Sequence, residues 1–102
     1  MDLGWEDPPP HVALKIQGIV TNSEDTPIAG AYCELWTLDW EDKEALLIQV
    51  KTNKNGFYSI TQEMYCVEGE VWVKAWEGKN LSEVIRDVQC ISEVQIMNFI
   101  LQ

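Results

Sequence analysis

Two stretches decide the fold: Thr26-Pro27-Ile28-Ala29-Gly30-Ala31-Tyr32-Cys33-Glu34-Leu35-Trp36 and Lys51-Thr52-Asn53-Lys54-Asn55-Gly56-Phe57-Tyr58-Ser59-Ile60. In the first, a proline-containing turn leads through Gly30 into a regular alternation of side chains. Ala31, Cys33 and Leu35 fall on one side, and Tyr32, Glu34 and Trp36 fall on the other, which is the two-residue period of a half-buried strand. The first stretch therefore predicts a strand that starts from a turn.

The second stretch contains a tight-turn signal, Asn55-Gly56. This dipeptide separates residues 46–52 from residues 57–61, and both of these runs are rich in β-forming side chains. The pattern predicts a β-hairpin.

Similar runs, separated by turn residues, recur about every ten residues along the chain. In the first of them, Gly18 marks a bulge or a close approach of another backbone. Residues 82–86 have a second interpretation, a single helical turn. The pattern predicts an all-β, seven-stranded antiparallel sandwich. Its strands begin at Val12 and then span residues 31–38, 45–52, 57–61, 70–76, 81–88 and 94–101.

Four motifs along these strands carry a family resemblance. They are Gly-x-Val at residues 18–20, Pro-Ile-Ala-Gly-Ala-x-Cys-x-Leu at 27–35, Thr-Asn-x-Asn-Gly-x-Tyr-x-Ile at 52–60, and Val-x-Val-x-Ala at 71–75. Together they resemble the carboxypeptidase regulatory-like and transthyretin-like (prealbumin-like) domains, from about residue 15 to residue 101. The resemblance implies an immunoglobulin-like or transthyretin-like sandwich. It also implies a non-catalytic secreted or cell-surface module that binds a partner or links domains.

The chain has 102 residues and a formal net charge of −10. This length fits one domain, and its acidity disfavours nucleic acid and anionic membranes as partners. Residues 1–11 are predicted to be a flexible proline-rich tail or linker, and residues 12–102 the sandwich domain. No apolar run approaches the ~20 residues that cross a bilayer. The acidic start differs from a secretion signal and suits one domain cut from a longer protein.

Metal and cofactor sites are not expected. His11 is the one histidine of the chain, and no two of the three cysteines have the CxxC spacing typical of zinc sites. The acidic segment 39–44 has four carboxylates that could attract calcium. It lacks the order of an EF-hand loop, so a solvated loop is favoured.

Catalysis is not expected either. Two enzyme families have related sandwiches: hydroxyisourate hydrolases, with several histidines and a C-terminal Tyr-Arg-Gly-Ser, and intradiol dioxygenases, which hold iron with two Tyr and two His. This chain ends in Ile100-Leu101-Gln102 and has one histidine. Carboxylates such as Glu34, Asp39 and Glu41 could form an acid and base pair, but surface carboxylates are usually solvated.

The cysteines lead to two alternatives. If the strands run up and down, the connection that holds Cys66 and the turn that holds Cys90 fall at the same end of the sandwich. A Cys66–Cys90 disulfide is then predicted, with Cys33 buried as a small apolar residue, and it implies an oxidising compartment and an extracellular or cell-surface protein. The alternative is three reduced thiols in a cytosolic protein.

A binding face is predicted from the residues that point away from the core. Strand alternation places Trp36, Trp72 and Trp76 outward, with Tyr32 and Lys74 beside them. Such a patch typically contacts a protein partner, a neighbouring domain of a host protein, or a carbohydrate. The alternative is that the rings are covered by the segment around Trp5, by the Trp40 loop, or by another domain.

The last predicted strand, residues 94–101, has no charge and no proline and is apolar on both faces. We expect it to be paired on at least one side and covered by the other sheet, with Met97, Phe99 and Leu101 inward. Simple burial of this strand within its own sandwich is favoured, and the alternative is that Ile100 feeds a contact with a second copy. This gives a second functional hypothesis, a structural building block that self-associates through its sheet edges or its C-terminal strand.

Overall fold

The computed structural model describes residues 9–78 and 83–102, and all the regular elements in this part of the chain are β-strands. Within the same ranges there is no helix that is long and apolar enough to cross a membrane. The segment 84–87 is a strand, not a helical turn. The eight strands are β1 (His11–Asn22), β2 (Tyr32–Leu38), β3 (Glu44–Lys51), β4 (Phe57–Tyr65), β5 (Val71–Trp76), β6 (Val84–Asp87), β7 (Val94–Ile96) and β8 (Phe99–Leu101).

The strands form two sheets that pack as a sandwich. The first sheet has the order β4-β1-β7, with β8 also paired to β1, and the second has the order β3-β2-β5-β6. Alternation works as predicted, since Val71, Val73 and Ala75 of β5 are buried between the sheets. Met97, Phe99 and Leu101 are buried from the opposite side. The all-β sandwich is therefore confirmed.

The predicted hairpin at Asn55-Gly56 is wrong. β3 pairs with β2, and β4 pairs with β1, so this turn carries the chain from one sheet to the other. Thr52 holds the corner, because its hydroxyl donates to the carbonyl of Ile28 and accepts a hydrogen bond from the amide of Ala31. A tight-turn signal specifies that the chain reverses, but it does not specify which strand becomes the hydrogen-bonding partner.

The predicted seventh strand is split, which makes the count eight. β7 and β8 keep one common register on β1 but run parallel to it, in an otherwise antiparallel sandwich. Between them the backbone leaves the ladder at Asn98. There the side chain of Asn98, rather than a backbone carbonyl, accepts a hydrogen bond from the amide of Ile19 at 2.9 Å.

Gly18 makes room for this irregularity. A Cβ at Gly18 would lie only 2.1 Å from the carbonyl oxygen of Met97. The same carbonyl accepts a hydrogen bond from the buried hydroxyl of Tyr58 at 2.6 Å. The close backbone approach that the sequence predicted at Gly18 is therefore confirmed.

A disulfide joins the two sheets at one end of the sandwich. Cys66 follows β4 of the first sheet, Cys90 follows β6 of the second, and their Cα atoms are 5.5 Å apart. Cys33 is buried and free. The amide of Cys66 also donates to the carbonyl of Pro10. β1 begins at His11, the last residue of the segment predicted as a tail, and residues 1–8 of that segment lie outside the described residues.

Replacing Gly18 by alanine should lower the free energy of unfolding by about 3 kcal/mol, because the new methyl group meets a backbone carbonyl that cannot swing aside. Urea denaturation measures the loss. Gly69→Ala is the matched control: nothing lies within 4 Å of its Cβ position, so it carries only the strain of a φ of 85°, about 1 kcal/mol. Equal losses at the two positions would contradict the role given to Gly18.

Reducing the disulfide should lower the unfolding free energy by about 3 kcal/mol, given the 24-residue separation of the two cysteines. Thiol titration in denaturant without reductant should find one free thiol, from Cys33, and three after reduction. The Cys33→Ala variant should have none before reduction. Three free thiols in the unreduced wild-type protein would show that the bond is not formed.

Candidate functional site

The outer face of the second sheet carries all five residues that the sequence predicted for binding. Tyr32 and Trp36 lie on β2, and Trp72, Lys74 and Trp76 lie on β5. The two strands are antiparallel neighbours, so Tyr32 lies opposite Trp76, and Trp36 lies opposite Trp72. All five side chains are half-buried. We call the surface that these five residues form the aromatic face.

Two of its rings stack on each other. The centroids of Tyr32 and Trp76 are 4.4 Å apart, with an angle of 23° between the ring planes. Because neighbouring strands are separated by about 4.8 Å, rings that stack across them stand upright on the sheet. The ammonium of Lys51, on β3, lies 5.1 Å from the centroid of Tyr32. Trp76 and Lys51 reach the Tyr32 ring from opposite neighbouring strands, so both of its faces are occupied.

Lys74 extends over one ring of the other aromatic pair, that of Trp36. Its ammonium lies 4.9 Å from the centroid of the Trp36 ring, where the negative face of the ring attracts the cation. The same ammonium lies 3.9 Å from a carboxylate oxygen of Glu83. The cation is thus neutralised within the site itself.

Glu34 is a carboxylate buried at the centre of this outer face. Its side chain is 5% exposed, although it points away from the core. One carboxylate oxygen accepts a hydrogen bond from the indole of Trp36 at 3.0 Å, and the other accepts one from the amide of Gln49 at 2.6 Å. Because a buried carboxylate needs such donors, Glu34 fixes the orientation of both neighbours.

Glu34, Gln49 and Lys51 were not among the predicted binding residues. Strand alternation does place Glu34 outward, but it cannot indicate which residues of β3 lie beside it. The bulge in the pairing of β2 with β3, between Leu35 and Trp36, shifts the register and decides this. The signal that would have found these residues is the cross-strand register, which the sequence alone does not contain.

The sequence suggested that the segment around Trp5, the Trp40 loop or another domain could cover the rings. Of these, the structure describes the Trp40 loop. Trp40 is 91% exposed, so its ring does not cover the aromatic face. The turn that presents it is held by Asp39, whose carboxylate accepts hydrogen bonds from the amides of Glu41 and Lys43. Trp5 lies outside the described residues.

Directly beneath the aromatic face, the core contains two buried ionisable groups. Burial, reinforced by the negative charge of Glu34, raises the pKa of Cys33 to about 12. Burial also raises the pKa of Tyr58. The neighbouring Cys33 raises this pKa further, and the positive charge of Arg86 lowers it. Both groups are neutral at physiological pH, so neither is a nucleophile or a base there.

Metal-binding and catalytic residue types are dispersed. Cys66 and Cys90 are consumed by their disulfide. His11 is exposed at the start of β1, where its ring makes an edge contact with that of Tyr65. Over residues 9–78 and 83–102, no group of three or more His, Cys, Asp or Glu side chains is arranged to hold a metal ion.

No protein-family model matches the chain, and no curated protein is significantly similar to it. Solved structures with the same sandwich include chlorocatechol 1,2-dioxygenase from Pseudomonas putida, with a TM-score of 0.64, 11% identity, and coverage of 89% of this chain and 60% of the enzyme. They also include the dioxygenase domain of a dioxygenase carbohydrate-binding protein fusion from Streptomyces sp. SirexAA-E, with a TM-score of 0.59, 15% identity, and coverage of 90% and 80%. The Bacillus anthracis TIE protein has a TM-score of 0.61 at 17% identity, with coverage of 89% of this chain and 17% of that protein.

These likenesses show the fold alone. The identities lie between 11% and 17%, a range in which unrelated functions share one architecture. The chain spans 60% of the Pseudomonas enzyme and 62% of a 3-chlorocatechol 1,2-dioxygenase from Rhodococcus opacus 1CP. The comparisons therefore support a β-sandwich without assigning it to a particular family.

The raised pKa of Cys33 predicts alkaline destabilisation. Its ordinary value is 9.0 and its folded value about 12. Its contribution to stability is thus complete below pH 9 and is lost between those values, because only the unfolded state releases the proton. From near pH 8 to near pH 10, the urea-unfolding free energy should fall by about 1 kcal/mol more in the wild type than in Cys33→Ala. Identical pH slopes would assign the loss to other groups.

Proposed function

We propose that this protein is a non-catalytic secreted or cell-surface module of the carboxypeptidase regulatory-like or transthyretin-like kind, which binds a partner or joins domains through its aromatic face. One observation carries the proposal: four aromatic rings lie on the outer side of a sheet, organised around the buried carboxylate of Glu34. Rings that only filled the core would not need a positioned carboxylate on the solvent side.

The placement of these rings supports binding on energetic grounds. Half-buried tryptophans on an outer face leave apolar area in contact with water, and covering that area with a partner is favourable. Aromatic residues are also enriched at the centres of interfaces. Tyr32 contacts Lys51 and stacks on Trp76, and Trp36 contacts Lys74 and Glu34. These three rings therefore have little side-chain freedom left to lose on binding.

A non-catalytic role is supported by the positions of the reactive groups. The solved dioxygenases share the sandwich, but this chain has one histidine, and its three tyrosines lie apart. Tyr32 is on the aromatic face, Tyr58 donates to a carbonyl in the core, and Tyr65 contacts His11. An extracellular or cell-surface location is supported by the Cys66–Cys90 disulfide, because such bonds persist in oxidising compartments.

A screen with defined ligand sets tests the role of the aromatic face. Wild-type protein and a Trp72→Ala/Trp76→Ala variant are each exposed to a displayed random-peptide library and to an array of neutral and acidic glycans. We expect ligands that bind the wild type and lose at least about tenfold in affinity with the variant, since truncating central aromatic anchors typically costs 2 kcal/mol or more.

Two controls separate binding from folding. Trp40→Ala removes an exposed tryptophan outside the aromatic face and should bind like the wild type. Leu35→Ala should lose about 3 kcal/mol of unfolding free energy as a core truncation, more than Trp72→Ala. If every ligand survives the loss of both rings, or if Trp72→Ala costs as much stability as Leu35→Ala, the rings act as core and the proposal fails.

A second candidate function, self-association, is favoured by the free edge of the first sheet. Val94, Ile96 and Ile100 are 51%, 62% and 50% exposed on the outer side of β7 and β8. Beside this edge, a groove of about 310 Å³ opens between β6 and β7, with Arg86, Ile91 and Gln95 in its lining. An uncharged edge strand of this kind is suited to pairing with a copy of itself.

Light scattering over a range of concentrations tests self-association. Because two copies with a charge of −10 repel each other, the average mass should increase with both protein and salt concentration. Ile96→Lys should abolish the increase, whereas Val67→Lys, which changes an exposed residue of the disulfide-linked loop, should not. A mass that stays at 11.7 kDa under all conditions would contradict this function.

A further inference from the structure

The aromatic face has a banded composition. Between the row of Tyr32 and Trp76 and the row of Trp36 and Trp72 lies a polar row. On β5, Trp72 and Trp76 are four residues apart, so the two aromatic rows are separated by about 13 Å. The polar row contains Gln49, Glu34 and Lys74, which the register of the three strands aligns side by side.

The polar row has both kinds of hydrogen-bonding group. Gln49 has an amide that donates and accepts, Glu34 has acceptor oxygens, and Lys74 has donors only. A ligand that matches this row must itself donate and accept at closely spaced positions. Hydroxyl groups do both, whereas phosphates and carboxylates only accept, and ammonium groups only donate.

Positive and negative side chains are interspersed on the face. Lys74 is shared between Trp36 and Glu83, and Lys51 lies against Tyr32. The carboxylate of Glu34 is held by two neutral donors and is 5% exposed. At the surface this leaves Lys51 and the exposed Asp87, which lies opposite Trp72 on β6; the two charges have opposite signs, so the face suits an uncharged ligand.

One ring has no other ring and no cation packed on either of its faces among the described residues. Both faces of Tyr32 are occupied, and its stacking partner Trp76 gives one face to it. Trp36 has one face under Lys74. Among the described contacts, no ring or cation lies on Trp72, which is half-buried and lies opposite the exposed Asp87 of β6. Trp72 is therefore the apolar platform at one end of the polar row.

We infer that the aromatic face binds a neutral oligosaccharide chain, whose apolar ring face packs on Trp72 and whose hydroxyl groups bond to Gln49 and Lys74, while the buried Glu34 holds Gln49 in place. The inference rests on the proposed binding function and names its ligand class. Sugars combine an apolar C–H face with a rim of hydroxyls, and this matches an aromatic row beside a mixed polar row. A peptide anchored by apolar side chains would leave the polar row unmatched, at a cost in affinity.

Affinity electrophoresis in native gels tests the inference with the intact, disulfide-bonded protein. The gels contain one polysaccharide each: hydroxyethylcellulose, galactomannan or pullulan as neutral chains, and polygalacturonate as an acidic chain. We expect at least one neutral polysaccharide to retard the protein equally at low and high salt, and polygalacturonate to have no effect. Insensitivity to salt follows because no charges are exchanged on binding.

Three variants locate the site. Trp72→Ala should weaken retardation at least about tenfold, and Gln49→Ala at least roughly threefold, as expected for the loss of one stacking contact and of one hydrogen bond. Trp40→Ala should match the wild type. Gln49 is exposed on an edge strand, so Gln49→Ala tests the site even if Trp72→Ala does not fold.

Three results would each overturn the inference. They are no retardation by any neutral chain, stronger retardation by polygalacturonate, and retardation that neither Trp72→Ala nor Gln49→Ala changes. If these results coincide with peptides whose binding requires Trp72 and Trp76, the ligand class is wrong and the binding function stands. If no ligand of any class depends on those rings, the proposed function fails as well.

Discussion

The packing of β1 against the backbone of Met97 is the constraint on which the rest of the sandwich depends. β1 is paired on both sides, with β4 on one and with β7 and β8 on the other. It therefore holds β4 and the two C-terminal strands in one sheet. Gly18 permits that closure because any side chain would overlap the Met97 carbonyl. Tyr58 then satisfies the same carbonyl from within the core, which ties β4 into the closure.

The closed sandwich leaves its two outer faces with different physical characters. On the second sheet, aromatic rings, lysines and a buried carboxylate contact one another. On the first sheet, the edge strands β7 and β8 expose aliphatic side chains without a charge. A chain with a net charge of −10 thus has two surfaces with little surplus charge, and these are where burial by another molecule meets the least electrostatic opposition.

Alternation in the sequence was a reliable guide to direction, because a two-residue period leaves each side chain only two choices of face. It correctly separated Val73 from Trp72 and Phe99 from Ile100. The sequence was a poorer guide to which strands pair with each other. The Asn55-Gly56 turn connects two sheets instead of two paired strands, since Thr52 bonds to the segment before β2 and turns the chain aside. The break at Asn98 and the parallel pairing of β7 also depend on a distant partner.

The sequence by itself determined the class of fold and the inward and outward sets, and it reduced the environment of Gly18 and the state of Cys66 and Cys90 to two alternatives each. Each of these follows from local periodicity, turn chemistry, or the end of the sandwich at which a connection lies. Only the tertiary structure decided that Gln49, Glu34 and Lys74 form one row and that Trp72 is the ring left free. Those facts depend on the register between strands, and a single bulge between Leu35 and Trp36 resets that register without leaving a signal in the sequence.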